Sequence, residues 1–316
     1  MKPFTVFPYD SNIHFMRLRW IALGIAALIM FIAIGSIAFK GFNFALDFTG
    51  GTATELKFEK PADVDVVRKR LTAGGLEGAQ VQSFGSSRDL LIRLQTKQGA
   101  SGKAAAQTAE DVVRAVSTPD NPATVTKSDF VGPQVGKELA LNGLYALLFV
   151  LLGFLIYISF RFELKFAIAA IITTLHDVIL VCGWFAISGH EFNLTVLAGV
   201  LAVMGFSIND TIVVFDRVRE NFRGMRAEPS EVMNRSVNQT LSRTVIVSFV
   251  AFLSMLALYL FGGASLRGLA EAQIIGVLIG TLSSIFIACP LLLLMHVTKQ
   301  DLMPKAKDEA ALARRP

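Results

Sequence analysis

Six stretches of the chain are almost unbroken runs of apolar residues: 20–39, 139–160, 166–187, 192–215, 241–261 and 269–297. A helix needs roughly 20 mostly apolar residues to cross a membrane, and each stretch reaches that length. Between the first and second lies a segment of another kind, 40–138. Its apolar positions recur with periods of 2 and 3.6 in turn, the marks of strands and helices that bury one face. Residues 52–59 alternate like a strand. Residues 63–73 read as a helix, with Val66, Val67 and Leu71 inward and Gly74-Gly75 as its stop. Residues 79–84 and 90–95 read as strands flanking a Gly85-Ser86-Ser87 hairpin turn. Residues 104–116 form a second helix, and 123–131 a last strand. The order β-α-β-β-α-β is the ferredoxin-like arrangement of an α+β domain, a fold that hosts many functions. No catalytic triad and no metal-ligand cluster shows in it. The pattern predicts a polytopic α-helical membrane protein with an arm at 1–19, one outer folded domain at 40–138, a loop at 216–240 and a tail at 298–316.

Composition agrees. Apolar residues make up 53% of the chain and charged residues 17%, against about 25% charged in an ordinary soluble domain. The charges gather in the folded segment, around 215–243 and at the two ends. Cys182 and Cys289 are too few and too isolated for a metal site or a disulfide framework. The first apolar run follows Arg17 and Arg19, and Ser36-Ile37-Ala38 resembles a signal-peptidase site. Its length exceeds the roughly 7–15 residues of a signal core, so it is read as a retained span.

The net charge of +5 raises nucleic acid as a partner, but the positions argue against it. Lys2, Arg17 and Arg19 precede span one, and Arg161 and Lys165 follow span two. Arg217, Arg219, Arg223, Arg226 and Arg235 follow span four. Lys299, Lys305, Lys307, Arg314 and Arg315 lie in the tail. The short loops of the opposite side offer only Arg267. Basic residues concentrate on the cytoplasmic side of membrane proteins, so both termini are expected there and the folded domain outside.

Ionisable residues inside spans are costly and face a bundle interior or a wet path. In the third span, Asp177 sits near the middle and shares a face with Thr173. It reads either as part of a proton or ion path or as a carboxylate satisfied by threonine hydroxyls. His176 points about 100° away and reads as a structural hydrogen-bonding residue. In the fourth span, Asp210 follows Ser207 and Asn209, with Asp216 and Arg217 at the water boundary. Arg243, one turn inside the fifth span, is expected at a depth similar to that of Asp210. An Asp–Arg pair that forms and separates can take up and release a proton; alternatively Arg243 reaches out to lipid phosphate. Gly276, Gly280 and Ser284 recur every four residues in the sixth span and read as a packing stripe. Glu271 reads as solvated near the outer surface.

Long runs resemble the SecF family. Leu46-Asp47-Phe48-Thr49-Gly50-Gly51-Thr52 resembles the signature that opens its outer domain. The run from Ser207 to Asn221 resembles its fourth span, Asn238 to Thr244 the start of its fifth, and Gly280 to Ala288 its last. The resemblance covers 15–294 in order. It implies half of an RND-like layout: six spans and a periplasmic ferredoxin-like domain. It implies a subunit that uses the proton-motive force to drive late steps of protein export across the bacterial cytoplasmic membrane. The implied partners are SecD, the SecYEG channel, YajC and an unfolded polypeptide in transit. No cofactor is implied beyond the coupling ion, with proton or sodium left open. Asp210 and Arg243 match the family's proton-path residues, and Asp47, Gly50, Gly51 and Thr52 its domain junction. One departure is the run Val245-Ile246-Val247 after Arg243, where the family tends to carry hydroxyls. Two other readings stay open: an RND-type exporter half for lipids or small molecules, and a non-conducting scaffold.

Overall fold

The computed structural model describes residues 11–84, 86–94 and 102–298. Lys2, Gly85, Gln95 and the tail residues Lys299, Lys305, Lys307, Arg314 and Arg315 lie outside them. The chain is a polytopic helical membrane protein, with six helices among the described residues long and apolar enough to cross a membrane. It divides into two compact units, one of residues Phe42–Ala146 with Glu191–Leu197, the other of the remainder.

In chain order the elements are α1 (Arg19–Phe39), β1 (Asn43–Phe44), α2 (Leu46–Thr49), β2 (Gly51–Phe58), α3 (Val64–Ala73), β3 (Gln80–Phe84), β4 (Ser86–Leu94), α4 (Gly102–Val116), β5 (Ala123–Val131) and α5 (Pro133–Arg161). Then come α6 (Leu164–Ser188), β6 (Glu191–Phe192), α7 (Leu194–Gly224), α8 (Pro229–Phe261) and α9 (Ala264–Ser283). A π-helical turn, Ser284–Ala288, leads into α10 (Cys289–Leu294).

The first unit is built on a four-stranded sheet in the order β3-β4-β2-β5, every neighbouring pair antiparallel. Alternation fixes which face is buried: Leu56 pairs with Leu90 and Thr54 with Ile92. Leu56, Leu90, Ile92, Leu71 and Val112 form the core beneath the helices. Asp63 caps α3, its carboxylate accepting from the amides of Asp65 and Val66. Val67 and Leu71, four apart, share the buried face. Val66, expected inward, is 46% exposed, because it stands a third of a turn off that face. Strand β4 begins at Ser86, earlier than the apolar run implied: its first residues are polar and exposed, so hydropathy did not mark them.

The helical unit has a buried middle. About 67% of the apolar window of α6, 50% of that of α7 and 56% of that of α9 is buried, against 6% for α1 and 11% for α8. Small residues make this packing possible. A Cβ at Gly183 would lie 2.4 Å from that of Ala33, and one at Gly276 would lie 2.1 Å from Val203 Cγ2. Near one end, the rings of Phe162, Phe166 and Phe215 pack together. The segment before α1 is strapped to α8. The Ile13 amide donates to Asn238 Oδ1 (3.1 Å), Asn238 Nδ2 donates back to the Ile13 carbonyl (2.9 Å), and the Met16 amide donates to Asn234 Oδ1 (2.8 Å). Phe15 is buried and meets the Phe286 ring edge-on at 5.6 Å.

The expected loop 216–240 is mostly helical. Helix α7 runs on to Gly224 and α8 starts at Pro229, leaving only four residues between. Hydropathy locates where a chain leaves the apolar layer; a helix ends where its backbone bonds end. Pro229 at the first turn and Gly224 at the last mark those ends. The sixth span is likewise interrupted. Pro290 has no amide to give the carbonyl of Phe286, and its ring crowds that carbonyl. The wider turn just before it accommodates the defect.

Candidate functional site

Among the described residues of the helical unit, two carboxylates lie buried, on α6 and α7. Asp177 has no exposed surface and Asp210 is 7% exposed. Each is held by hydroxyls from other helices. Ser207 Oγ on α7 donates to Asp177 Oδ2 (2.5 Å), and so does Ser283 Oγ on α9 (2.7 Å). His176 Nδ1 lies 3.0 Å from Asp177 Oδ1, and its Nε2 is buried with no partner among the described residues. Thr244 Oγ1 on α8 donates to Asp210 Oδ1 (3.1 Å), and Ser284 Oγ on the π turn donates to Oδ2 (3.2 Å). A buried carboxylate with such donors can hold a charge or a proton at modest cost, because each state finds a hydrogen-bond partner.

Close backbones make these bonds possible. A Cβ at Gly280 would touch Ser207 and lie 3.8 Å from Asp177 Oδ2, so α9 can bring Ser283 and Ser284 up to α6 and α7. Ser284, read from the sequence as packing, is thus also a ligand of Asp210. Thr173, read as a partner for Asp177, donates instead to the Ala169 carbonyl of its own helix (2.8 Å). Serine and threonine make that local bond readily in helices.

Arg243 is not paired with Asp210. Its side chain is exposed and makes no hydrogen bond or ion pair among the described residues, while the next residue, Thr244, faces the carboxylate. One residue along a helix turns the side chain by about 100°, which depth alone does not reveal. The Arg243 charge is still close enough to act on Asp210 electrostatically. Asn209 is exposed. Asp216 pairs with Arg161 (2.7 Å) and Arg217 with Glu220 (2.8 Å), so neither joins the buried group. Glu271 is not solvated: only 13% of its side chain is exposed, and it accepts from Trp184 Nε1 (2.8 Å) and contacts His190 Nδ1 (2.6 Å).

The junction residues form a second cluster. Gly50 and Gly51 have φ of +70° and +135°, where a side chain would be strained. A Cβ at Gly136 would lie 2.9 Å from the Gly50 amide. The Asp47 carboxylate accepts from the amide of Leu194, the first residue of α7 (3.0 Å). Beside it, β1 pairs in parallel with β6 through Phe44 and Phe192. Thr52 is buried, with no hydroxyl partner among the described residues. An anionic cap at a helix start is worth about 1 kcal/mol. Asp47→Ala should therefore lower the thermal midpoint of the detergent-purified protein, and Asp47→Asn should keep most of it. An Asp47→Ala protein that melts with the parent would rule out the capping role.

Ser283 and Thr244 carry no mark in the sequence that sets them apart from ordinary helix residues. The usable signal was a run of hydroxyls at the depth of the two aspartates, on helices of otherwise apolar character. Among the described residues, no cluster of three or more metal-ligating side chains occurs.

Comparison with known proteins adds the family. The pattern described as "Protein export membrane protein SecD/SecF, C-terminal" matches residues 110–298, and the "SecD/SecF GG Motif" matches 35–62. Protein translocase subunit SecF of Pseudomonas aeruginosa is 46% identical, over 94% of this chain and 96% of its own length. That of Escherichia coli O157:H7 is 42% identical, over 94% and 92%. Protein translocase subunit SecDF of Brucella abortus is 38% identical over 90% of this chain, but only 37% of its own length is covered. The crystal structure of SecDF from Thermus thermophilus, a translocon-associated membrane protein, matches with a TM-score of 0.82 at 36% identity, over 92% of this chain and 40% of that one. The chain thus spans nearly all of the SecF relatives and less than half of the SecDF ones. On this similarity the chain belongs to the SecD/SecF family of protein export membrane proteins.

Proposed function

We propose that this Sec translocase subunit uses the proton-motive force to drive late steps of protein export. The observation that carries the reading is the pair of buried carboxylates, Asp177 and Asp210, held by hydroxyls from three neighbouring helices. A lipid-facing anchor gains nothing from such groups and bears the cost of burying them. In this reading Asp210 changes protonation, Arg243 biases its charge from outside the pair, and no cofactor is needed beyond the proton. One charge crossing 100 mV is worth about 2.3 kcal/mol, enough to bias a two-state element about fiftyfold.

The segment with sheet order β3-β4-β2-β5 then serves as a ferredoxin-like periplasmic domain that binds or moves the emerging polypeptide. Support comes from its all-antiparallel β-α-β-β-α-β arrangement. Both termini lie in the cytoplasm and the chain sits in the bacterial inner membrane; the basic residues from Arg161 to Arg235 at one set of helix ends, against Arg267 in the short loops at the other, support this. The partner is a SecD-like subunit that completes an RND-like pair of halves. Support is the SecDF relatives, in which the part resembling this chain is under half of a longer protein. SecYEG, YajC and an unfolded polypeptide complete the assembly.

The test is export completion in inverted vesicles whose only subunit of this type is the present chain. A precursor stalled after ATP-driven entry should be released faster when a proton gradient is imposed. A protonophore should abolish the gain, and a sodium ionophore should leave it. Release indifferent to the proton gradient would sink the reading, and loss under the sodium ionophore alone would replace the proton by sodium.

A further inference from the structure

Ser283 and Ser284 are neighbours on one helix, yet their hydroxyls reach different carboxylates. Ser283 Oγ lies 2.7 Å from Asp177 Oδ2 and 3.1 Å from the Gly280 carbonyl. Ser284 Oγ lies 3.2 Å from Asp210 Oδ2 and 3.0 Å from the Thr281 carbonyl. A serine hydroxyl has one proton to give. Each serine therefore faces two acceptors and can serve one at a time: a carboxylate on another helix, or a carbonyl of its own.

The protonation of the carboxylate decides which. Ionised Asp210 is an acceptor only, and it draws the Ser284 proton. Once Asp210 binds a proton, its own O–H can donate to Ser284 Oγ, and the Ser284 proton turns to the Thr281 carbonyl. One proton enters, no covalent bond of the serine breaks, and one hydrogen bond changes acceptor. The same exchange holds for Ser283 between Asp177 and Gly280. Both carbonyls stand at the entrance to the π turn Ser284–Ala288, where the helix leaves its regular spacing. Single π turns in helices are frequent at functional sites. The Gly280 carbonyl also accepts from the Ser284 amide, so a serine hydroxyl that turns to it is a second donor on one carbonyl, an arrangement that loosens and bends a helix.

We propose that Ser283 and Ser284 are the positioning residues through which the protonation states of Asp177 and Asp210 set the geometry of the π turn in the last span. The inference rests on the proton-coupled reading above. The ionisable groups facing the site are Asp177 and His176 from α6 and Asp210 from α7, with the Arg243 charge acting from α8. The π turn is linked onward through Phe286 to Phe15 in the strap before α1, so a change in its spacing has a packed neighbour to act on.

The test uses the full chain assembled in membranes, with Ser283→Ala, Ser284→Ala and the matching threonine substitutions. Two quantities are read: proton-driven export, and the infrared C=O band of protonated carboxyl groups between acid and alkaline samples. The alanine variants should assemble and export about tenfold more slowly, less than the roughly hundredfold floor for loss of a proton-transfer group itself, because the serines act through the carboxylates. Ser284→Ala should displace the band that Asp210→Asn removes, and Ser283→Ala the band that Asp177→Asn removes. Threonine, which keeps the hydroxyl, should restore both rate and band. If alanine lowers assembly, cysteine fills the same space with a weaker donor and carries the same expectation. Unmoved bands, export at the parent rate, or threonine variants as slow as alanine would overturn the inference. In that case a slow Asp210→Asn protein leaves the proton reading standing, whereas an Asp210→Asn protein exporting normally removes that reading itself.

Discussion

Asp210→Asn should leave the protein assembled and slow proton-driven export about a hundredfold, the lower end of what a positioned proton-transfer group contributes. The amide has the shape of the carboxyl group it replaces. Its oxygen can still accept from Thr244 or Ser284, and the other hydroxyl can turn to accept from the amide nitrogen, since both hydroxyls can donate or accept. Packing around Gly280 and Ser207 is untouched. What disappears is the pair of Asp210 oxygens able to bind and release a proton. Asp210→Leu is a different experiment. It leaves the Thr244 hydroxyl facing a hydrocarbon, and an unsatisfied buried polar group costs about 1–3 kcal/mol. Leucine should therefore reduce assembled protein as well as rate, whereas asparagine should reduce rate alone. Release rates under an imposed gradient, normalised to the amount of assembled subunit, separate the two. An asparagine variant with the parent's normalised rate would remove Asp210 from the coupling machinery.

Gly276→Val should deplete folded protein. The added Cβ would lie 2.1 Å from Val203 Cγ2, 2.5 Å from Cγ1 and 2.8 Å from Cβ. No rotation of the Val203 side chain clears its own Cβ, so α9 must move off α7. That separation pulls Ser283 and Ser284 away from Asp177 and Asp210 and opens the buried middle of the bundle. Overpacking a tight site costs about 1–3 kcal/mol and more where the backbone must shift; this site belongs to the upper end. Gly276→Ala carries the same Cβ with fewer atoms and should be milder. Thermal unfolding in detergent and the steady-state amount in membranes both report the loss. A Gly276→Val protein as abundant and as stable as the parent would mean that α7 and α9 do not approach as described.

The two buried aspartates were readable because charge inside an apolar run stands out whatever the tertiary structure. Their partners were not. Ser283, Ser284 and Thr244 are ordinary residues in membrane helices, and nothing along the chain says that Ser283 meets a carboxylate 106 residues away. Thr173 shows the converse: a hydroxyl on the right face still chose its own backbone. The expected Asp210–Arg243 pair failed for an angular reason, because equal depth does not set which way a side chain points around its helix. Glu271 failed for a topological one. Its partners Trp184 and His190 come from a different helix end, so a carboxylate that looks solvated in sequence is nearly enclosed. The β-α-β-β-α-β order was legible because most of its elements bury one face; β5 is the exception, exposed along most of its length. The helical extensions beyond 215 and before 241 were not, because exposed amphipathic helix and polar loop have similar hydropathy.

The strap before α1 bears on how the protein is made. Ile13 and Met16 are fastened by side chains 225 and 218 residues further along, and Phe15 waits for Phe286. At about 5–20 residues synthesised per second, the beginning of the chain stays unfastened for on the order of ten to forty-five seconds after it emerges. During that interval the first span can pack on α6 through Ala33 and Gly183, but the segment before it has nothing to fasten to. A nascent chain cut short before Asn234 has neither asparagine to hold the segment before α1, which marks unfinished copies off from finished ones at Ile13–Met16.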